Sequence, residues 1–195
     1  MKTIEYKGHK IQIEQDQDPI DPRVDYDNLG TMACFHGRYS LGDKDHGIDS
    51  DQFKGWEEMR EYIGQELNAY VILPIYMYDH SGVTIRTTPF SCPWDSGQIG
   101  FIYVTCDKLK GEGLMKKTQA EIQKYLEGEI ETSDQYLRGD VYGYQIEGEL
   151  CSHSCWGFFG SDHEDSDLLP SARADIDDAV HCDQIENGEQ LSLEV

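Results

Sequence analysis

The stretch AYVILPIYMYDHSGVTIRTTPF (residues 69–90) is strongly apolar around a polar break. Its first half is apolar and rich in β-branched and aromatic residues, DHSG at 79–82 is turn chemistry, and VTIR resumes an alternating pattern. Such a run reads as two strands joined by a short turn. Pro74 has no backbone N–H to offer a neighbouring strand, which predicts an edge or a bulge at that point. IGFIYVTC (99–106) supplies another apolar strand after the irregular SCPWDSGQ, so this region is expected at the centre of a sheet.

Outward from that centre, residues 3–6 and 10–14 alternate on either side of a Lys-Gly-His connection and predict a hairpin. The polar, proline-punctuated QDQDPIDPRVDYDN (15–28) predicts a surface loop, and LGTMACF (29–35) a buried strand. Phe53, Trp56, Ile63 and Leu67 fall at helical spacing, which predicts an amphipathic helix from about Ser50 to just before Asn68. Thr118-Gln-Ala-Glu121 is a capping-box pattern ahead of Ile122, Tyr125, Leu126 and Ile130, so a second helix begins there. DVYGYQIEGEL (140–150) and SCWGFFG (154–160) read as two more strands. Ala172, Ile176, Ala179 and Val180 share one face of a third helix over 168–182. Consecutive strands outnumber βαβ crossovers, so the expected fold is α+β: a mainly antiparallel sheet with about three helices packed on one side. A length of 195 residues predicts one domain over 1–185 followed by a fraying tail at 186–195.

Charge dominates the composition, with 16 Lys and Arg against 38 Asp and Glu and a net charge of −22. Residues 140–195 hold 14 acids and one base, Arg173, and no lysine follows Lys124. Nucleic acid and anionic membranes repel such a chain, so neither is an expected partner. No 18-residue apolar run occurs, and MKTIEYKGHKIQIEQD (1–16) lacks a signal-peptide pattern. Those features predict a cytoplasmic protein whose six cysteines are reduced.

Two constellations invite chemistry. His80, Cys92 and Asp95 flank the central strands and suggest a thiol nucleophile with a base and an orienting carboxylate, although the same residues read as turn and loop formers. Cys151, His153 and Cys155 lie on alternate positions and converge on one face if the segment is extended, but they lack the paired spacing of common zinc sites. No phosphate-binding loop, dinucleotide fingerprint or nucleophile elbow occurs, and no cofactor is expected. Trp56, Trp94, Trp156, Phe158 and Phe159 are expected in the core.

Acidity by itself serves solubility. The near absence of bases in the last third points further, because interspersed signs suffice for solubility. Asp162, Glu164, Asp165, Asp167, Asp175, Asp177 and Asp178, on one folded face, would set carboxylates at spacings resembling DNA phosphates. A face of that kind would dock into a basic nucleic-acid channel.

DYDNLGTMACFHGRYSLGD (25–43), YDHSGVTIRTTPFSCPWDSGQIGFIYV (78–104), QYLRGDVYGYQI (135–146) and SCWGFFG (154–160) together resemble a family of small proteins of phages, prophages and plasmids, most specifically in TTPFSCPWDSGQIGF (87–101). The resemblance implies a mobile-element origin and a host-cell cytoplasm, and carries no catalytic residue. By analogy of charge class, it suggests a non-enzymatic protein that binds a nucleic-acid-handling host protein, in the manner of antirestriction or anti-CRISPR DNA mimics.

Overall fold

The computed structural model describes the backbone of residues 2–193 and the side chains of residues 2–185. Where length suggests one domain over 1–185, the backbone forms two compact units, Met1–Ile20 with Gly139–Val195, and Asp21–Arg138. The fold is α+β, with two four-stranded antiparallel sheets and five α-helices among the described residues.

The larger unit, Asp21–Arg138, is built on strands β3 (Thr31–Cys34), β4 (Ala69–Asp79), β5 (Val83–Arg86) and β6 (Ser96–Thr105) in the order β3-β6-β4-β5. Residues Ile99 to Val104 of β6 are all buried. Alternation explains why: Ile102 and Val104 join one core with α4 (Gln119–Arg138), through Ile122, Leu126 and Ile130. Phe101 and Tyr103 join another core with α2 (Trp56–Gln65), through Met59 and Ile63. A strand covered on both faces loses its polar positions and reads as a continuous apolar run. The expectation of helices on one side is therefore corrected for this sheet, which has helices on both faces.

Pro74 pairs with Phe101 of β6, while β5 reaches β4 only from Tyr76 to Asp79. The proline thus sits on a stretch of β4 with an open second edge, next to a register irregularity between Ile75 and Tyr76. Its missing N–H costs no ladder bond there. Two short helices, α1 (Pro22–Asp25) and α3 (Cys106–Gly111), have no periodic signal in the sequence, being four and six residues long.

The capping box at α4 is formed in full. Thr118 N–H donates to Glu121 Oε2 at 2.9 Å, and Glu121 N–H donates to Thr118 Oγ1 at 3.3 Å. The Thr118 backbone bond, followed by Lys117, brings the Glu121 carboxyl down from 4.5 to about 2. A carboxyl depressed in the folded state adds stability above its unfolded value and loses it as pH falls toward the folded one. Acid unfolding of the wild type is therefore expected to include a component between pH 4.5 and about 2 that Glu121→Gln lacks, read by far-ultraviolet circular dichroism. Superimposable acid limbs would contradict the assignment.

The smaller unit carries β1 (Lys2–Tyr6), β2 (His9–Gln15), β7 (Val141–Glu147) and β8 (His153–Phe159) in that order. The opening hairpin forms as expected, with Lys2 opposite Ile13 and Tyr6 opposite His9. β2 then pairs with β7, Ile13 opposite Tyr144 and Ile11 opposite Ile146. α5 (Leu168–Leu193) lays Leu168, Leu169, Ala172 and Ile176 against those residues. The tail expected over 186–195 continues this helix through Leu193, and Glu194 and Val195 lie outside the described residues.

Candidate functional site

The seven carboxylates singled out by the sequence all belong to the smaller unit, on the turn before α5 and on α5 itself. Asp162 shapes the turn, since its Oδ1 accepts the backbone N–H groups of Glu164 at 3.0 Å and Asp165 at 3.2 Å. Those bonds, Asp165 first, hold its carboxyl below the usual aspartate range. Asp167 follows with a left-handed backbone, φ 62°. Asp162, Asp165 and Asp167 are exposed.

Three of the seven are engaged by other side chains. Glu164 takes a two-pronged contact from Arg173, at 2.7 and 3.0 Å. Asp177 receives Lys7 Nζ at 2.8 Å and the Tyr6 hydroxyl at 3.2 Å, and the Lys7 bond, then that of Tyr6, lowers its pKa. Asp175 Oδ2 accepts the Tyr144 hydroxyl at 2.5 Å and lies 3.5 Å from His153 Nε2. Burial, and after it this bond, holds the Tyr144 hydroxyl above its ordinary range.

A helix turns roughly 100° per residue, so Asp175 and Asp177 leave α5 on opposite flanks of its buried stripe. Asp178 projects from the outer side and is exposed. The expectation of one continuous face of seven acids is thereby narrowed. Asp162, Asp165, Asp167 and Asp178 are exposed and, among the described residues, form no ion pair with Lys or Arg, while Glu164, Asp175 and Asp177 bond to side chains of their own unit. Lys7 and Tyr6 carry no sequence signal for this role, since Tyr6 and Asp177 stand 171 residues apart.

His80, Cys92 and Asp95 do come together in the larger unit. Asp95 Oδ2 lies 3.6 Å from His80 Nδ1 and 3.7 Å from Cys92 Sγ. The order is unsuited to a thiol nucleophile, which needs the imidazole beside the sulfur and the carboxylate behind it. Here one carboxylate oxygen serves both, and among the described residues the thiol's hydrogen-bond partner is Asp95. Asp95 also accepts the Asp79 N–H through its backbone oxygen, at 2.9 Å, tying the segment before β6 to the end of β4.

Cys151, His153 and Cys155 do not form a ligand set. Cys151 is buried with Sγ 3.9 Å from the backbone oxygen of Asp175, Cys155 packs into the core, and His153 turns to Asp175. Among the described residues no group of three or more His, Cys, Asp or Glu is placed to hold a metal ion. All six cysteines are free thiols.

The aromatic expectation is met by Trp56, whose ring contacts Phe35 and Phe101, and by Phe158, packed beside Tyr144. Two tryptophans depart from it: Trp94 is 91 % exposed on the loop before β6, and Trp156 is 40 % exposed on β8. Among the described residues no helix is long and apolar enough to cross a membrane. No family model, curated protein or solved structure matches the chain.

Proposed function

We propose that this chain is a non-enzymatic mobile-element accessory protein that binds a basic, nucleic-acid-handling host protein. Its class is that of antirestriction or anti-CRISPR DNA mimics, acting in the host-cell cytoplasm. The reading rests on one observation, the segregation of charge between the two units. The smaller unit holds 18 Asp and Glu against four Lys and Arg, net −14, while the larger holds 20 against 12, net −8. A potential concentrated on the smaller body steers a cationic partner toward it and speeds encounter.

Asp162, Asp165, Asp167 and Asp178 are the partner-facing carboxylates in this reading, being exposed and, among the described residues, outside any ion pair with Lys or Arg. Changing all four to asparagine is expected to slow association with a purified restriction or CRISPR effector nuclease by about tenfold or more. The matched change at Asp45, Asp51, Glu57 and Glu61, exposed acids of the larger unit, is expected to have little effect. Equal losses from both sets would reduce the charge to a bulk property and sink the reading. Absence of binding across a panel of such nucleases would sink it too.

A further inference from the structure

Besides the four open carboxylates, the smaller unit has a groove of about 800 Å³ lined by Glu14, Asp16, Asp18, Ile20 and Trp156. Its floor follows from a missing side chain. Gly143 on β7 stands opposite Glu14 on β2, and a Cβ at residue 143 would lie 2.2 Å from Trp156 Cε3 and 2.5 Å from Cδ2. The indole therefore rests against bare backbone on the sheet face opposite Tyr144 and α5, and remains 40 % exposed. Strand alternation produces the arrangement: Cys155 packs inward and Trp156 turns outward.

Among the described residues, no Lys or Arg pairs with Glu14, Asp16 or Asp18, and none lines the groove. The chemistry of the lining selects its occupant. An anion meets three carboxylates, and a purely apolar group would desolvate them without compensation. A flat cation satisfies both parts, stacking on the indole while its N–H groups meet the carboxylates. We propose that this groove receives an arginine side chain of the basic partner, with Trp156 as the stacking platform and Glu14, Asp16 and Asp18 as its anionic rim. The inference rests on the basic-partner reading above and names the part of the unit that would recognise a guanidinium.

The test uses the full chain and a hexa-arginine peptide at low salt, with affinity from calorimetry and the indole N–H resonances from NMR. The expected result is that the Trp156 indole resonance, identified by its loss in Trp156→Leu, shifts on peptide addition. Trp156→Leu weakens binding about five- to tenfold, and Trp156→Phe less, in line with the ranking of rings as cation platforms. Leucine keeps an apolar side chain on this exposed position, and unchanged thermal unfolding identifies a folded variant. Binding that is unaltered in Trp156→Leu but weakened by neutralising Asp162, Asp165 and Asp167 would overturn the groove and leave the basic-partner reading standing. A wild-type chain that does not bind the peptide at all would overturn both.

Discussion

Replacing Arg23 with alanine is expected to destabilise the larger unit by about 3 kcal/mol. The side chain is 6 % exposed and makes four bonds: Nε and one terminal nitrogen to Asp43 at 2.9 and 2.7 Å, the other terminal nitrogen to Glu129 at 2.9 Å, and Gly30 O at 2.8 Å. Burial opposes the guanidinium charge, and Asp43, with Glu129, outweighs it, so the pKa is raised. Asp43 also accepts the Met32 N–H and Glu129 the Leu29 N–H, so both carboxylates are fixed where they stand. Removing the arginine leaves two anions facing one another with their counter-charge gone, which is the costly way to break a buried pair. Asp43 retains 25 % exposure, which places the loss at the lower end of the range for such changes. Arg23→Lys keeps the charge without the fork and is expected to lose less. A loss below about 1 kcal/mol for Arg23→Ala in denaturant unfolding would show that the cluster contributes no more than a surface pair.

Gly100→Ala is the second large effect, also about 3 kcal/mol, the upper end of what overpacking costs. Gly100 lies on β6 between Cys34 of β3 and Ile75 of β4. An added Cβ would stand 2.0 Å from the backbone oxygen of Ala33 and 2.9 Å from Cys34 Cα. Both are backbone atoms of a paired strand, so relief requires β3 and β6 to part. A methyl group added at Gly97, on the same strand, would meet nothing within 4 Å, and Gly97→Ala is expected to be close to neutral. Equal melting temperatures for the two alanine variants would contradict the packing described for β6.

Local order is legible in the residues, and long-range pairing is not. The hairpin of β1 and β2, the Thr118–Glu121 box and the start of α5 at Leu168 each follow from spacing or capping within a few positions. The pairing of β2 with β7 joins residues more than a hundred positions apart, and alternation in each strand says only that a face is buried. Two sheets therefore stand where the sequence suggests one. The continuous apolar run of β6 does carry the information that both faces are covered.

The same limit applies to the site. The acids of the turn and α5 stand out as a concentration of charge, but nothing local marks Lys7, which reaches Asp177 from the first hairpin. Trp156 reads as core because large aromatics usually are. What turns it outward is the strand's alternation, and what seats it is the absent side chain of Gly143, two facts that meet only in the folded sheet. His80, Cys92 and Asp95 are neighbours as their positions suggest, yet spacing does not give the order of contact that places the carboxylate between imidazole and thiol.

In the function proposed above, the smaller unit's negative surface occupies the nucleic-acid site of a basic protein. The most direct measurement is the affinity of the full chain for a purified DNA-cleaving defence nuclease over rising salt, with and without competing duplex DNA. The expected result is an affinity that falls steeply with ionic strength and complexes from which duplex DNA is excluded. An affinity indifferent to salt, or a ternary complex in which chain and duplex are held together, would contradict it.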